Sequence, residues 1–132
     1  GASFGTRLSQ LSTSIQELLE KHRPQHVVLE KIFLGKNADS AFKLGHARGV
    51  LMSQAALSGA EISEYAARQV KKGVTGSGAA SKEDVQAVVQ NLLGLSQIQR
   101  IDASDALALA CYHVFEVRKA RLLRRATEGI GL

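Results

Sequence analysis

Leu8, Leu11, Ile15, Leu18 and Leu19 recur at three- and four-residue intervals, the periodicity of an amphipathic helix, which Pro24 brings to an end. The period then changes. The run His26-Val27-Val28-Leu29-Glu30-Lys31-Ile32 is short, apolar and β-branched, as expected of a buried strand with an acid at its carboxyl end. After a loop at 33–37, Asp39 or Ser40 is placed to cap a long helix running to about Leu57. Gly45 and Gly49 stand one turn apart on one face of that helix. A helical glycine costs about 1 kcal/mol relative to alanine, so close packing against another element is the expected reason for the pair.

Ser58 and Gly59 break the chain, and residues 60–65 alternate as a second strand does. A short helical turn over 67–72 and a glycine-rich loop over 73–78 follow. Ser81 then caps a helix, with Asp84 three residues on completing a capping box. Its apolar face reads Val85, Val88, Val89, Leu92 and Leu93, and Gly94 stops it. A last helix begins near Asp102 and runs into a basic tail. The order helix, strand, helix, strand, helix, helix points to an α/β layer arrangement. Two strands are fewer than a stable sheet usually has, so amino-terminal strands are expected to be missing from these residues.

Composition narrows the class. The chain has 132 residues, 45% hydrophobic and 22% charged, which suits one soluble domain. No apolar run reaches the roughly 20 residues of a membrane-spanning helix, and no signal peptide is evident. A single cysteine, Cys111, excludes an internal disulfide framework and suits a reducing cytoplasm. The net charge of +5 is matched by five cations near the end, Arg118, Lys119, Arg121, Arg124 and Arg125. The expected organisation is therefore a domain over 1–117 and a basic tail over 118–132. A short basic tail is commonly a solvated face, so nucleic-acid binding has to be argued from where other cations sit.

Asp102 and Asp105 are separated by three positions at the mouth of an apolar helix. Side chains at i and i+3 share one face, and like charges so close favour a cation between them. A hard divalent ion such as magnesium takes carboxylate oxygen. The plainer alternative is that Asp102 caps the helix while Asp105 complements its dipole. Glu30, at the carboxyl end of a strand where α/β sheets place ligands, is either ion-paired, with Lys31 or Lys36, or part of a site. Glu30, Asp102 and Asp105 together would form the kind of acid cluster that holds two metal ions for phosphoryl chemistry.

Gly73 and Gly78 have the spacing of a phosphate-binding loop, but Ala79 stands where its lysine is required. A flexible loop with exposed amides, flanked by Lys71 and Lys72, fits contact with a phosphate backbone better. His22, His26, His46 and His113 show no ligand spacing, and Cys111 reads as a small core residue.

The wording of several segments resembles the RuvC family of Holliday-junction resolvases. They are Leu29-Glu30-Lys31-Ile32-Phe33, the run from Lys36 and Asn37 to Ala41, Lys43-Leu44-Gly45 and Ala47-Arg48-Gly49-Val50. Glu64-Tyr65, Val70-Lys71-Lys72, Val74-Thr75-Gly76, residues 82–86 and residues 102–108 continue the likeness, in order, from about Arg7 to His113. The resemblance implies a ribonuclease-H-like mixed sheet flanked by helices. It also implies a homodimer that nicks two strands of like polarity at a four-way DNA junction, in recombination and repair, beside branch-migration motor proteins. Carried over by position, Glu30, Asp102 and Asp105 resemble three of the family's four metal-binding acids. Phe33 matches a base-stacking aromatic, and Lys71 and Lys82 match phosphate-contacting cations. Lys36, Asn37 and Lys72 are adjoining candidates for DNA contact. Two Mg2+ ions per active site are implied, with Mn2+ able to substitute.

One departure is plain. The family opens with a strand ending in Asp-Pro-Gly, whose aspartate is the central ligand, and nothing before Leu8 resembles it. These residues alone are expected to bind magnesium poorly. The alternatives to a resolvase are an inactive junction-binding fragment and another ribonuclease-H-like nuclease acting on RNA or duplex DNA.

Overall fold

A computed structural model describes residues 1–31, 37–98 and 100–129. The chain divides into two compact units, Gly1–Glu64 and Tyr65–Leu132.

In the first unit, α1 (Phe4–His22), β1 (His26–Glu30), α2 (Ala38–Leu57) and β2 (Glu61–Tyr65) follow in order, with Tyr65 itself opening the second unit. Ser3 starts α1 by accepting the Thr6 N–H at 3.1 Å. Arg23 ends it in the left-handed region (φ 44°), ahead of Pro24. The two strands are hydrogen-bonded neighbours in a parallel sheet with α2 as the crossover. The Glu61 N–H reaches the Gln25 carbonyl at 2.9 Å and fixes where the pairing begins.

Three expectations change here. The strand β1 is half-buried at its centre and exposed at both ends, not buried, because two strands and the helices beside them cover it incompletely. The cap of α2 is Asn37, whose side chain accepts the Ser40 N–H at 3.2 Å; Asp39 instead pairs with Lys43 one turn on. Finally, a β-carbon built on Gly45 or Gly49 would meet nothing within 4 Å among the described residues. Among the described residues, the pair therefore has no close packing to explain it. It lines an open groove of about 630 Å³ with Leu8, Ala41, Phe42 and Val50.

The second unit is helical beyond the end of β2. It comprises α3 (Ala67–Thr75), α4 (Lys82–Leu93) and α5 (Ile101–Gly129), each packed on the other two. Val70, Val85, Val89, Ile98, Ala108 and Tyr112 form its core, with Val89 fully enclosed. Ser81 and Asp84 form the reciprocal capping box expected of α4, and Gly94 (φ 66°) closes it. Leu92 and Leu93 stay exposed, so the apolar face of α4 is narrower than its spacing suggests.

The helix α3 runs on to Thr75, past the expected turn at Lys72, and takes in Gly73. The reason is a close approach: a β-carbon on Gly73 would overlap Cε2 and Cδ2 of the Tyr112 ring on α5. The glycine loop accordingly shrinks to residues 76–81.

Candidate active site and nucleic-acid surface

Glu30 is the last residue of β1, and its carboxylate is exposed, without an ion pair among the described residues. The expected pairing with Lys31 does not form. Lys36 and Phe33 lie outside the described residues. The end of β1 is held instead through its backbone. Arg48, projecting from α2, donates from Nε to the Glu30 carbonyl at 3.4 Å and from Nη2 to Glu64 Oε2 at 2.5 Å. That ion pair is partly shielded, where a charge-assisted bond gains strength. The sequence reading gave Arg48 and Glu64 no role. The available signal was an acid inside the alternating strand at 61–65, which called for a cation nearby.

Asp102 and Asp105 lie on α5, which begins at Ile101. Asp102 is not the cap: the first carbonyl of the helix series is that of Arg100, which accepts the Ser104 N–H at 3.2 Å. Both aspartates are exposed and neither has an ion pair among the described residues. Between them Ser104 faces the other way, buried, with its hydroxyl unpartnered among the described residues. Within neither unit do three His, Cys, Asp or Glu side chains converge among the described residues.

Lys71 and Lys72 sit near the end of α3, and Lys82 is the first residue of α4. The turn between these helices offers fewer free amides than expected, since most of its N–H groups are engaged within it. Gly76 donates to Lys72, Ser77 to the Thr75 hydroxyl, Ala79 to the Ser77 hydroxyl, Ala80 to the Ser77 carbonyl and Ser81 to Asp84. Asn37 is exposed, and its side-chain oxygen is engaged in capping α2.

His113 and Cys111 are core residues of α5. Tyr65 and His113 share a hydrogen bond of 2.7 Å between hydroxyl and Nδ1, and Gln69 donates to the Tyr112 hydroxyl at 3.0 Å. Burial pushes the Cys111 thiol above its ordinary value of 9.0.

Comparison with known proteins decides what this arrangement belongs to. The family profile described as "Crossover junction endodeoxyribonuclease RuvC" matches residues 2–113. The RuvC of Bdellovibrio bacteriovorus is 63% identical over 124 residues, which are 94% of this chain and 74% of that protein. The chain belongs to the RuvC family. Its likeness to the RuvC of Chromohalobacter salexigens is 48% over 117 residues, 89% of this chain and 62% of that one. Two solved RuvC chains from Thermus thermophilus agree in fold. One, described as "Thermus thermophilus RuvC structure", has TM-score 0.82 and 32% identity over 90% of this chain and 72% of that chain. The other, described as in complex with Holliday junction substrate, has TM-score 0.81 and 28% identity, over 89% of this chain and 73% of that chain. The fold is thus α/β, of the ribonuclease-H-like type shared by RuvC structures. The chain spans between 62% and 74% of the length of these relatives. Among the described residues, no helix is long and apolar enough to cross a membrane.

Proposed function

We propose that this chain supplies most of the nuclease domain of a homodimeric resolvase, which nicks two like-polarity strands of a four-way DNA junction in the bacterial cytoplasm. The observation that carries the reading is a RuvC-type chain presenting at the head of α5 two exposed aspartates without an ion pair among the described residues. Family membership alone would not say which residues act. The donor set suits the ion: Glu30, Asp102 and Asp105 offer hard carboxylate oxygens, the ligands magnesium prefers, and manganese accepts the same set.

Divalent ions held there would lower the pKa of the attacking water and offset charge on the leaving sugar oxygen. The chain's own residues position and compensate. Asp102 and Asp105, three positions apart, present two exposed carboxylates from one helix. Arg48 fixes the strand end that carries Glu30, so that this acid is presented from an anchored backbone.

Lys71 and Lys82 neutralise phosphate charge, as their match to the family implies. Lys82 has a physical argument of its own. A cation in the first turn of a helix opposes the macrodipole, so its position there weakens α4 and is accounted for by an anion nearby. Phe33 stacks on a base, and Lys36, Asn37 and Lys72 extend the DNA contact. The open groove containing Gly45 and Gly49 is the proposed part of the dimer contact, since no described residue of the same chain approaches either glycine.

The test is magnesium-dependent nicking of a synthetic four-way junction by the protein at its natural length. Asp105→Asn is expected to abolish cleavage while junction binding persists. Absence of cleavage by the unaltered protein would leave only a junction binder.

A further inference from the structure

The family match ends at residue 113, yet α5 continues without interruption to Gly129. This extension carries Arg118, Lys119, Arg121, Arg124 and Arg125, all exposed. None of the five has an ion pair among the described residues, although Glu116 and Glu128 flank them on the same helix. Arg118, Arg121 and Arg125 occupy positions i, i+3 and i+7, so they form a stripe on one helix face. At 1.5 Å per residue, the stripe is about 10 Å long. That length is about three steps along one strand of a duplex, at 3.4 Å of axis per phosphate.

Two ordinary explanations fail. The helix macrodipole acts within the last turn, and the last turn of α5 holds no basic residue. A solvated face laced with opposite charges would gain from its i,i+4 pairs, whereas Arg121 has cations at both i+3 and i+4. Such like-charge neighbours weaken a helix, and a polyanion lying along it removes the repulsion. A membrane-surface helix is also a poor match. Its apolar face should be continuous, but Lys119 stands between Leu122 and Leu123 around the helix.

We propose that the carboxy-terminal extension of α5 is a DNA-backbone-binding arm, in which Arg118, Arg121 and Arg125 contact phosphates outside the nuclease core. It rests on the proposed function only in taking DNA as the polyanion. Contacts of this kind carry no sequence information; they add affinity and register, and they are sensitive to salt.

The test is a salt titration of affinity for a four-way junction and for a linear duplex, without divalent ions so that nothing is cut. The unaltered protein is compared with Arg118→Gln/Arg121→Gln/Arg125→Gln and with the corresponding triple lysine variant. Circular dichroism confirms that glutamine, a good helix former, leaves α5 intact. The glutamine variant is expected to lower the log–log salt slope by about 2 to 3 on both DNAs, at about 0.9 per lost phosphate contact. The lysine variant is expected to retain the slope. An unchanged slope in the glutamine variant overturns the arm, as does loss confined to binding of phosphatidylserine vesicles. Failure of the unaltered protein to prefer the junction would count against the resolvase reading, while the duplex titration still decides the arm.

Discussion

At Gly73 the missing side chain lets α3 lie directly against the ring of Tyr112, which itself accepts a hydrogen bond from Gln69 and meets Tyr65 edge-on at 4.8 Å between ring centres. Gly73→Ala would gain up to about 1 kcal/mol in helix propensity. It would also force that ring to move, and overpacking of this kind costs about 1–3 kcal/mol. The variant is expected to be less stable in denaturant titration, with slope unchanged. Cys111 gives a prediction of opposite character. Its thiol is raised by burial, so the neutral form is favoured in the folded state. The associated stability is present below the thiol's unfolded pKa and lost as pH rises through the higher folded value. Thiol reagents at pH 8 are therefore expected to modify Cys111 only in denaturant; rapid labelling of the native protein would contradict this. The burial of Cys111 was already legible as a small core residue, whereas the close approach at Gly73 was not. Gly73 stood in a run that reads equally well as a loop, because its reason is a tyrosine 39 positions away.

Helix ends were legible wherever the signal was local. Ser81 with Asp84, Gly94 and Pro24 all mark boundaries that the structure keeps, because caps depend on neighbours three or four residues distant. Replacing Ser81 by alanine removes one side of the capping box and is expected to cost about 1 kcal/mol, read as a lower thermal midpoint. Where two caps competed, spacing was insufficient. Asn37 prevails over Asp39 and Ser40 at the start of α2, and α5 starts one residue before Asp102. The capping alternative for the aspartate pair thereby loses its main support, and both carboxylates remain available. What sequence could not supply was the tie from Arg48 to the ends of two strands, which needs the crossover to be folded first. On the proposed function, Arg48→Ala is expected to reduce nicking several-fold with little change in junction affinity, since it frees the strand end that carries Glu30. Equal loss of both would mean a general defect in folding.

For the protein taken entire, motif order carried more information than composition. The charge of +5 pointed to nothing definite, whereas the spaced segments from Leu29 to Ala108 identified the family before any coordinates. The first unit was the less predictable half. Its helices bury only Ala55 between them, and its strand is half-covered, so periodicity overstated its burial. Substrate choice is the property that belongs to the complete enzyme. Cleavage of a four-way junction is expected to exceed that of a linear duplex and of an RNA–DNA hybrid; equal rates on the three would assign the chain to another kind of nuclease.

The unbroken course of α5 has one more consequence. From Asp102 to Arg125 it rises about 35 Å at 1.5 Å per residue, close to one full turn of a B-form duplex. On the proposed function, a single helix would then join a blade at one end to a grip at the other. One residue inserted after Val114 would scarcely lengthen it, yet would swing the arginine stripe by about 100° relative to the aspartate pair.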